Sequence, residues 1–301
     1  MGGSYGERFS GHESFVCRYG WLPKIHGAIQ QDPKLLKNDK LAMKTLGIGR
    51  NMVKSLQFWA EVSGVIVSQS PEGHAEGPIG ARLFGEFGWD PYLESRESLW
   101  LIHWRLSTNA GLAAWNEVFG EGKRARFDRQ QLISGLVRRG AGAARSLAAS
   151  TLEQHASIFV QSYYQVERSP DDTSWCPLQD LGLIKATKTE DGRILYNTRA
   201  SAPVGLSSRV FGMALVDFII HQGSRASTVD FIDILCGEYS PGVVFRLDEH
   251  QLRQLLDDAI AGPFSGALRF VDTADTQSIV LIPEALDPQY LLNTKGVRHH
   301  G

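Results

Sequence analysis

Residues 38–64 read NDKLAMKTLGIGRNMVKSLQFWAEVSG, and this stretch decides the predicted fold of the N-terminal region. Asn38 or Asp39 can cap a short helix, Lys40–Leu46, because their side chains accept hydrogen bonds from the free N–H groups of a first helical turn. Gly-Ile-Gly then forms a sharp turn, since glycine takes positive φ without strain. A second helix, Arg50–Val62, follows, and the two helices with their turn predict a helix-turn-helix.

The second of these helices has one apolar face and one polar face. Val53 and Leu56 are spaced to pack against the preceding helix. Arg50, Asn51 and Lys54 then project outward near the N-terminus of the helix, the end that meets base edges in such motifs. Arginine can bind guanine, asparagine can bind adenine, and lysine suits phosphate. The pattern predicts DNA contact; the alternative is a helical hairpin in an ordinary core whose charges are solvated.

The flanking segments extend the motif to a winged helix. Gly20 to Gln31 has an apolar stripe at helical spacing, and the Asp-Pro pair after it ends the helix. The β-branched run 65–67 predicts a strand, and the Ser-Pro-Glu-Gly sequence 70–73 predicts a turn. The order helix, helix, turn, helix, strand and loop is that of a winged helix-turn-helix.

The whole chain has the composition of a globular protein. It has 301 residues, of which 43% are apolar and 21% are charged. It contains no run of about eighteen apolar residues, and its first residues lack the apolar core of a secretory signal. Its three cysteines are odd in number and far apart, so neither a disulfide framework nor a Cys-x-x-Cys zinc site is expected. We therefore predict a cytoplasmic protein without membrane contact.

Charge is distributed unevenly along the chain. Residues 1–60 carry nine Lys or Arg and four acids, whereas residues 221–260 carry three Arg and seven acids. A basic segment and an acidic segment would suit a protein with one face that binds nucleic acid and another that binds a different partner. The alternative is a chance imbalance on a solvated surface. The basic N-terminal region adds Arg18, Lys40 and Lys44 to the predicted DNA contacts.

The predicted fold class is mainly α with short β-hairpins. A Gly/Ala-rich stretch at residues 140–144 predicts a domain boundary. We predict residues 1–140 as an N-terminal winged-helix DNA-binding domain with a helical extension. Residues 141–206 are predicted as a linker helix and connecting segment, and residues 207–301 as a winged-helix-like assembly domain.

The last of these regions shows helices followed by a hairpin. Asp248 can cap a helix, and the runs 268–271 and 278–282 flank a polar turn. The outward face of the capped helix is mostly acidic and would repel phosphate. We therefore expect this region to dock protein rather than DNA.

A second basic cluster lies near the middle of the chain. Lys123, Arg124 and Arg126 fall within a short charged segment. They could bind phosphates beside the recognition helix. The alternative is an exposed charged loop next to a helix.

The segment 9–15, FSGHESF, supplies the candidate catalytic residues. His12 and Glu13, with Arg18 nearby, could serve as a base, a metal ligand and a phosphate clamp in a nuclease that uses Mg²⁺ or Mn²⁺. The alternative is a buried His12 and a Glu13–Arg18 ion pair that anchors the N-terminal arm. The sequence contains no Walker-type loop, so nucleotide hydrolysis is not expected, and the metal ligands stay unassigned.

Five short motifs carry a resemblance to a known family. They are FSGHESF (9–15), RYGWL (18–22), LGIGRNMV (46–53), CPL (176–178) and LGLI (181–184). Together they resemble an uncharacterised bacterial family whose members are encoded beside DNA phosphorothioation genes, and the chain is similar to the B component of the single-strand phosphorothioation system. The resemblance runs over most of the chain.

This resemblance implies a role in replacing a backbone oxygen of DNA by sulfur for phage defence. It implies double-stranded DNA as a partner, together with a cysteine desulfurase, an ATPase and a sulfurtransferase-like component, and it attributes DNA nicking to this subunit. The competing hypothesis is a winged-helix transcriptional regulator without enzymatic activity, which would form a homodimer and bind a palindromic operator. A purely structural adaptor is a third hypothesis.

Overall fold

The described part of the computed structural model is mainly helical with small antiparallel sheets, as the sequence predicts. No helix among the described residues is long and apolar enough to cross a membrane. The structure describes residues 7–109, 111–141, 146–164, 175–198, 203–222, 227–273 and 276–292.

The N-terminal region consists of three helices and a hairpin. The helices are α1 (Trp21–Gln31), α2 (Asp39–Leu46) and α3 (Arg50–Val62). Strands β1 (Ile66–Gln69) and β2 (Gly73–Glu76) pair antiparallel directly after α3. The order of elements is the one that the sequence predicts.

The turn between α2 and α3 forms for the expected reason. Gly47 has φ 65°, a left-handed conformation that glycine adopts without strain, and its N–H bonds the carbonyl of Met43 to close α2. The side chain of Asn38 accepts a hydrogen bond from the N–H of Leu41, so Asn38 is the N-cap. Asp39 is the first residue of α2.

A largely buried helical layer follows the hairpin. It contains α4 (Pro78–Phe84), α5 (Arg96–Thr108) and α6 (Ala113–Phe119). Most residues of α5 and all of α6 are buried, so these helices lie inside the molecule rather than on a surface. Tryptophans of α5 and α6 are among the largest fully buried side chains, and they place the core here.

The middle of the chain contains a sheet that the sequence analysis did not predict. Its elements are β3 (Arg126–Asp128), α7 (Arg129–Gly140), α8 (Ala149–Tyr163), β4 (Lys185–Lys188) and β5 (Ile194–Asn197). The strand order is β3-β5-β4, all antiparallel. The region predicted as a linker helix and connecting segment therefore has two strands besides its helix. Most of the predicted 140–144 boundary, residues 142–144, lies outside the described residues.

The C-terminal region repeats the order of elements seen in the middle. A helix leads into a strand, further helices follow, and a hairpin closes a sheet of order β6-β8-β7. The predicted capped helix and hairpin are both present. The elements are α9 (Ser208–His221), β6 (Thr228–Asp230), α10 (Phe231–Cys236), α11 (Pro241–Val244), α12 (Glu249–Ala261), β7 (Leu268–Asp272) and β8 (Gln277–Leu281).

The two three-stranded sheets are alike in register as well as in order. In each, the first strand has one buried central residue, Phe127 or Val229, and ends on an aspartate at which a helix starts. In each, the first strand pairs with the third. Chain distance hides this pairing from local sequence patterns, because Arg126 lies opposite Asn197.

Candidate nucleic-acid interface and buried histidine pair

The predicted DNA-binding helices present a basic surface, which we call the α2–α3 surface. Ala42 and Leu46 of α2 are buried, and so are Val53, Leu56 and Trp59 of α3. Because these residues occupy one face of each helix, the opposite faces turn to solvent. The exposed side chains of the α2–α3 surface include Lys40, Lys44, Arg50, Asn51 and Lys54, with Leu41 and Thr45 of α2 beside them.

One of these cations has a carboxylate partner. Arg50 donates from Nε to Oδ2 of Asp39 across 2.7 Å, and its Nη2 contacts the same oxygen. Asp39 lies in the first turn of α2, where the helix dipole favours an acidic side chain. Both side chains remain largely accessible, at 66% for Arg50 and 45% for Asp39, so this ion pair is open to competition from another anion.

Two histidine–glutamate contacts hold the hairpin against the helices. His26 of α1 bonds Glu76 of β2 through Nε2 and Oε1 at 2.6 Å. His74 of β2 bonds Glu61 of α3 at 3.0 Å. The hairpin tip itself, residues 68–72, is exposed and contains serine, glutamine, proline and glutamate but no lysine or arginine. The tip residues themselves therefore offer hydroxyl and amide groups, and the cation beside them is Lys37, which donates to the carbonyl of Pro71.

Arg18 differs from the exposed cations of the α2–α3 surface because its guanidinium packs on aromatic rings. Its guanidinium sits over the ring of Phe15 at 5.3 Å and over the ring of Trp21 at 5.7 Å, which is the geometry of cation–π contacts. The described residues show no Glu13–Arg18 ion pair within 4.0 Å, so that part of the anchoring alternative is wrong.

The second predicted basic cluster is divided by the fold. Lys123 donates from Nζ to the carbonyl of Cys236 at 2.7 Å. Arg124 pairs with the buried Glu117 at 2.5 Å. Arg126, on β3, is exposed. The structure therefore leaves Arg126 as the member of this cluster that is available to a partner.

Glu117 is the centre of a larger ion-pair cluster. Its carboxylate, 8% accessible, also accepts from Nε of Arg139 at 2.8 Å. Arg139 in turn contacts Glu7 at 2.6 Å and Glu121 at 3.1 Å. A Cβ on residue 135 would lie 2.2 Å from Oε1 of Glu117, so Gly135 is required for this approach. These arginines hold the fold together, and sequence inspection could not show their partners.

His12, the candidate catalytic base, is buried against a second histidine. Its Nε2 lies 3.0 Å from Nδ1 of His155 on α8. The N–H of Ala114 donates to Nε2 of His155 at 3.1 Å, which fixes the tautomers of both rings. His155 must carry its proton on Nδ1 and donate to His12, and His12 donates from Nδ1 to the carbonyl of Glu13 at 2.8 Å.

Burial keeps both rings neutral. Desolvation, together with the neighbouring His12, lowers the pKa of His155 to about 3. Desolvation also lowers the pKa of His12, although its hydrogen bond to Glu13 acts in the opposite direction. His12 is 1% exposed and both of its nitrogens are bonded, so this conformation supports the structural alternative. The catalytic roles of His12 and Glu13 stay predictions.

A cavity that no sequence pattern predicted lies between α5 and α9. It has a volume of about 300 Å³, and Asp217 and His221 line it with Trp104 and Asn109. Asp217 accepts from Trp104 Nε1 at 2.9 Å, and His221 donates to its backbone carbonyl at 2.7 Å. Burial raises the pKa of Asp217, but bonds from His221 and Trp104 outweigh it and hold the pKa below its ordinary value. An aspartate and a histidine four residues apart in an apolar helix were the available signal.

Comparisons with known proteins agree with the resemblance carried by the five motifs. Residues 9–294 match the model of a family described as "Protein of unknown function (DUF4007)". A crystal structure of SspB with bound magnesium is 23% identical, with a TM-score of 0.79 over 90% of this chain and 82% of that chain. A second SspB crystal structure, also 23% identical with a TM-score of 0.79, covers 93% of this chain and 85% of that one. No curated protein matches the chain.

The magnesium of one SspB structure raises the question of whether this chain fits such an ion. Within the described ranges, no group of three or more His, Cys, Asp or Glu side chains could hold a metal ion. The residues described here therefore do not form a site built mainly from protein ligands, and no chemical step is assigned to a metal.

Proposed function

This chain belongs to the DUF4007 family, and we propose that it is the DNA-binding subunit of a bacterial DNA phosphorothioation system. The observation that carries the proposal is the α2–α3 surface, in which two helices joined by a glycine turn expose four cations and an asparagine. The fold that this chain shares with SspB supports the proposal.

We interpret the N-terminal region as a winged helix-turn-helix with α3 as its recognition helix. Arg50 and Asn51 stand at the N-terminal end of α3, the end that approaches base edges in this motif. Lys54 follows one turn later, and Lys40 and Lys44 share one face of α2 at i and i+4 spacing. Lysines at these positions would bind phosphates and fix the register of α3 on the duplex.

The hairpin would act as a wing without cations. Its histidine–glutamate contacts to α1 and α3 hold it in one position beside the recognition helix. Serine and glutamine side chains at its tip can donate to phosphate or sugar oxygens, which requires no net charge.

The remaining partners follow from the same proposal. An acidic C-terminal region would dock protein components of the system, for which the resemblance offers a cysteine desulfurase, an ATPase and a sulfurtransferase-like protein. Modification of chromosomal DNA would place this assembly in the cytoplasm. Copurification of the chain with these components tests the assignment. Charge-reversing substitutions of Asp257 and Asp258 should reduce the amount of partner protein that copurifies.

A binding titration tests the DNA-binding function. Labelled duplex DNA is titrated with wild-type protein and with the Arg50→Ala/Lys54→Ala variant at several salt concentrations, with Arg269→Ala as the control. We expect the double variant to lose about tenfold in affinity and its salt slope to fall by about 1 for each lost phosphate contact. The control should match the wild type.

Two results would overturn different parts of this proposal. If wild-type protein does not bind duplex at moderate salt, the DNA-binding function fails. If the double variant binds as tightly as the wild type, DNA binding stands but α3 is not the recognition helix. A dimer that protects a palindromic operator would instead favour the transcriptional regulator.

We further propose strand nicking, the activity that the resemblance implies, and a plasmid assay tests it. Supercoiled plasmid is incubated with the protein and Mg²⁺ or Mn²⁺, alone and with its partner components, and open circles are expected. Plasmid that stays supercoiled throughout overturns nicking. If His12→Ala removes nicking but leaves DNA binding and folding intact, His12 is catalytic; if it removes all three, the residue is structural.

A further inference from the structure

We infer that the sheet β3-β5-β4 carries a second contact surface for the DNA backbone, formed by Arg126 and Lys185, which lie on either side of Asn197. This inference rests on the proposed DNA-binding function and adds a site outside the N-terminal region. We call these three residues the middle-sheet row, because the strand register places them side by side across the sheet.

Register fixes the geometry of the row. Arg126 on β3 and Lys185 on β4 both lie opposite Asn197 on the central strand β5. Residues directly opposite each other in paired strands project from the same face. Adjacent strands are about 4.8 Å apart, so the backbone positions of Arg126 and Lys185 are about 10 Å apart, with Asn197 between them. Phe127 and Tyr196, one residue along, are on the opposite face, where their rings pack at 5.4 Å.

Both cations of the row are accessible. Arg126 and Lys185 are exposed, and neither has a carboxylate within 4.0 Å in the part of the chain that the structure describes. Their neighbours in sequence behave differently, since Arg124 is committed to Glu117 at 2.5 Å. An exposed cation with no internal partner keeps its charge available for an external anion.

The C-terminal sheet provides an internal comparison. Its equivalent row is Thr228, Val280 and Arg269, which has the same register but one cation instead of two and no central amide. The two sheets therefore have the same strand arrangement but present different side chains at this row. The difference in residues, rather than the strand arrangement, makes the middle-sheet row suited to phosphate.

DNA backbone is the occupant that this chemistry fits. Two long cationic side chains on one face of the sheet can bind phosphate oxygens, and contacts to phosphate carry no information about base sequence. A second such surface would lengthen the bound site and raise affinity without changing sequence preference.

A matched pair of charge reversals tests the inference. Lys185→Glu and Arg269→Glu change the net charge equally and lie at equivalent positions of the two sheets, so any general electrostatic effect is common to both. Duplex binding is measured over a range of salt concentrations, and the melting temperature of each variant is checked. We expect Lys185→Glu to lower affinity by about tenfold and the salt slope by about 1, with Arg269→Glu within about twofold of wild type.

The outcomes separate this inference from the proposed function. If Lys185→Glu and Arg269→Glu bind alike while Arg50→Ala/Lys54→Ala is weakened, the second surface is wrong and the N-terminal one stands. If wild-type protein binds no duplex, the proposed function fails first. If Lys185→Glu lowers the melting temperature, Lys185→Gln and Arg126→Gln, which keep a polar side chain of similar length, decide the question by their salt slopes.

Discussion

His155 donates a hydrogen bond from Nδ1 to Nε2 of His12 across 3.0 Å, and this bond ties the N-terminal segment to α8. The partners are 143 residues apart in sequence. Ala114 at the start of α6 supplies the N–H that fixes the direction of the bond. Three separate parts of the chain therefore meet at one neutral histidine pair, which explains why the FSGHESF segment is ordered without an ion pair.

Removal of this pair should destabilise the fold. His155→Ala leaves the N–H of Ala114 and Nε2 of His12 without their partners and opens a cavity, so we expect a loss of about 3 kcal/mol or more in the free energy of unfolding. His155→Gln, which can replace one of the bonds, should lose about half as much. Denaturant unfolding measures both, and exposed His250→Ala should stay within about 0.5 kcal/mol of wild type. Equal stability of His155→Ala and wild type would contradict the structural role.

Acid should weaken the protein through the same pair. The folded pKa of His155 is about 3, below its ordinary value of 6.5, so the unfolded state binds one more proton between these values. The contribution to stability is complete above pH 6.5 and is lost as the pH falls toward 3, at about 1.4 kcal/mol per pH unit. The free energy of unfolding, measured between pH 4 and 6, should change with pH less steeply in His155→Gln than in wild type, by about this amount. An unchanged slope would show that His155 is not held neutral.

Local patterns predicted those elements whose partners lie close in sequence. The Gly47 turn, the helices on either side of it and the C-terminal hairpin all follow from capping, glycine and alternation signals within about twenty residues. Strands β3 and β6 were missed because each is three residues long and buries one side chain. Their pairing partners lie far along the chain, where periodicity gives no information.

The residues of the candidate site also fall into those that local sequence predicts and those whose partners depend on the tertiary fold. Exposure of Arg50, Asn51 and Lys54 follows from helical spacing alone, and the structure agrees. The carboxylate partner of Arg124 and the histidine partner of His12 depend on tertiary contacts. The cluster of basic residues in the sequence therefore did not distinguish Arg124, which forms an ion pair with Glu117, from Arg126, which does not.

Asp39 should restrain DNA binding by holding Arg50. If the proposed function is right, Asp39→Asn frees the Arg50 guanidinium and raises affinity for duplex by about threefold or more at low salt. Glu72→Gln removes the same charge from the hairpin tip, and it should change affinity by less than about twofold. Anisotropy titrations of the two variants give the comparison. Equal gains would mean that the effect is general electrostatics rather than release of Arg50.

Glu117 should be far more important to stability than Glu121, although both contact Arg139. Glu117 is 8% accessible and also binds Arg124, whereas Glu121 is 51% accessible and sits at the edge of the cluster. Removing one member of a buried ion pair leaves its partners desolvated and uncompensated, and the cost is about 3 kcal/mol or more. An exposed pair contributes about 1 kcal/mol or less. We therefore expect Glu117→Gln to lower the free energy of unfolding by several times the effect of Glu121→Gln, with denaturant midpoints as the measurement. Similar losses in the two variants would show that burial does not set the strength of this cluster.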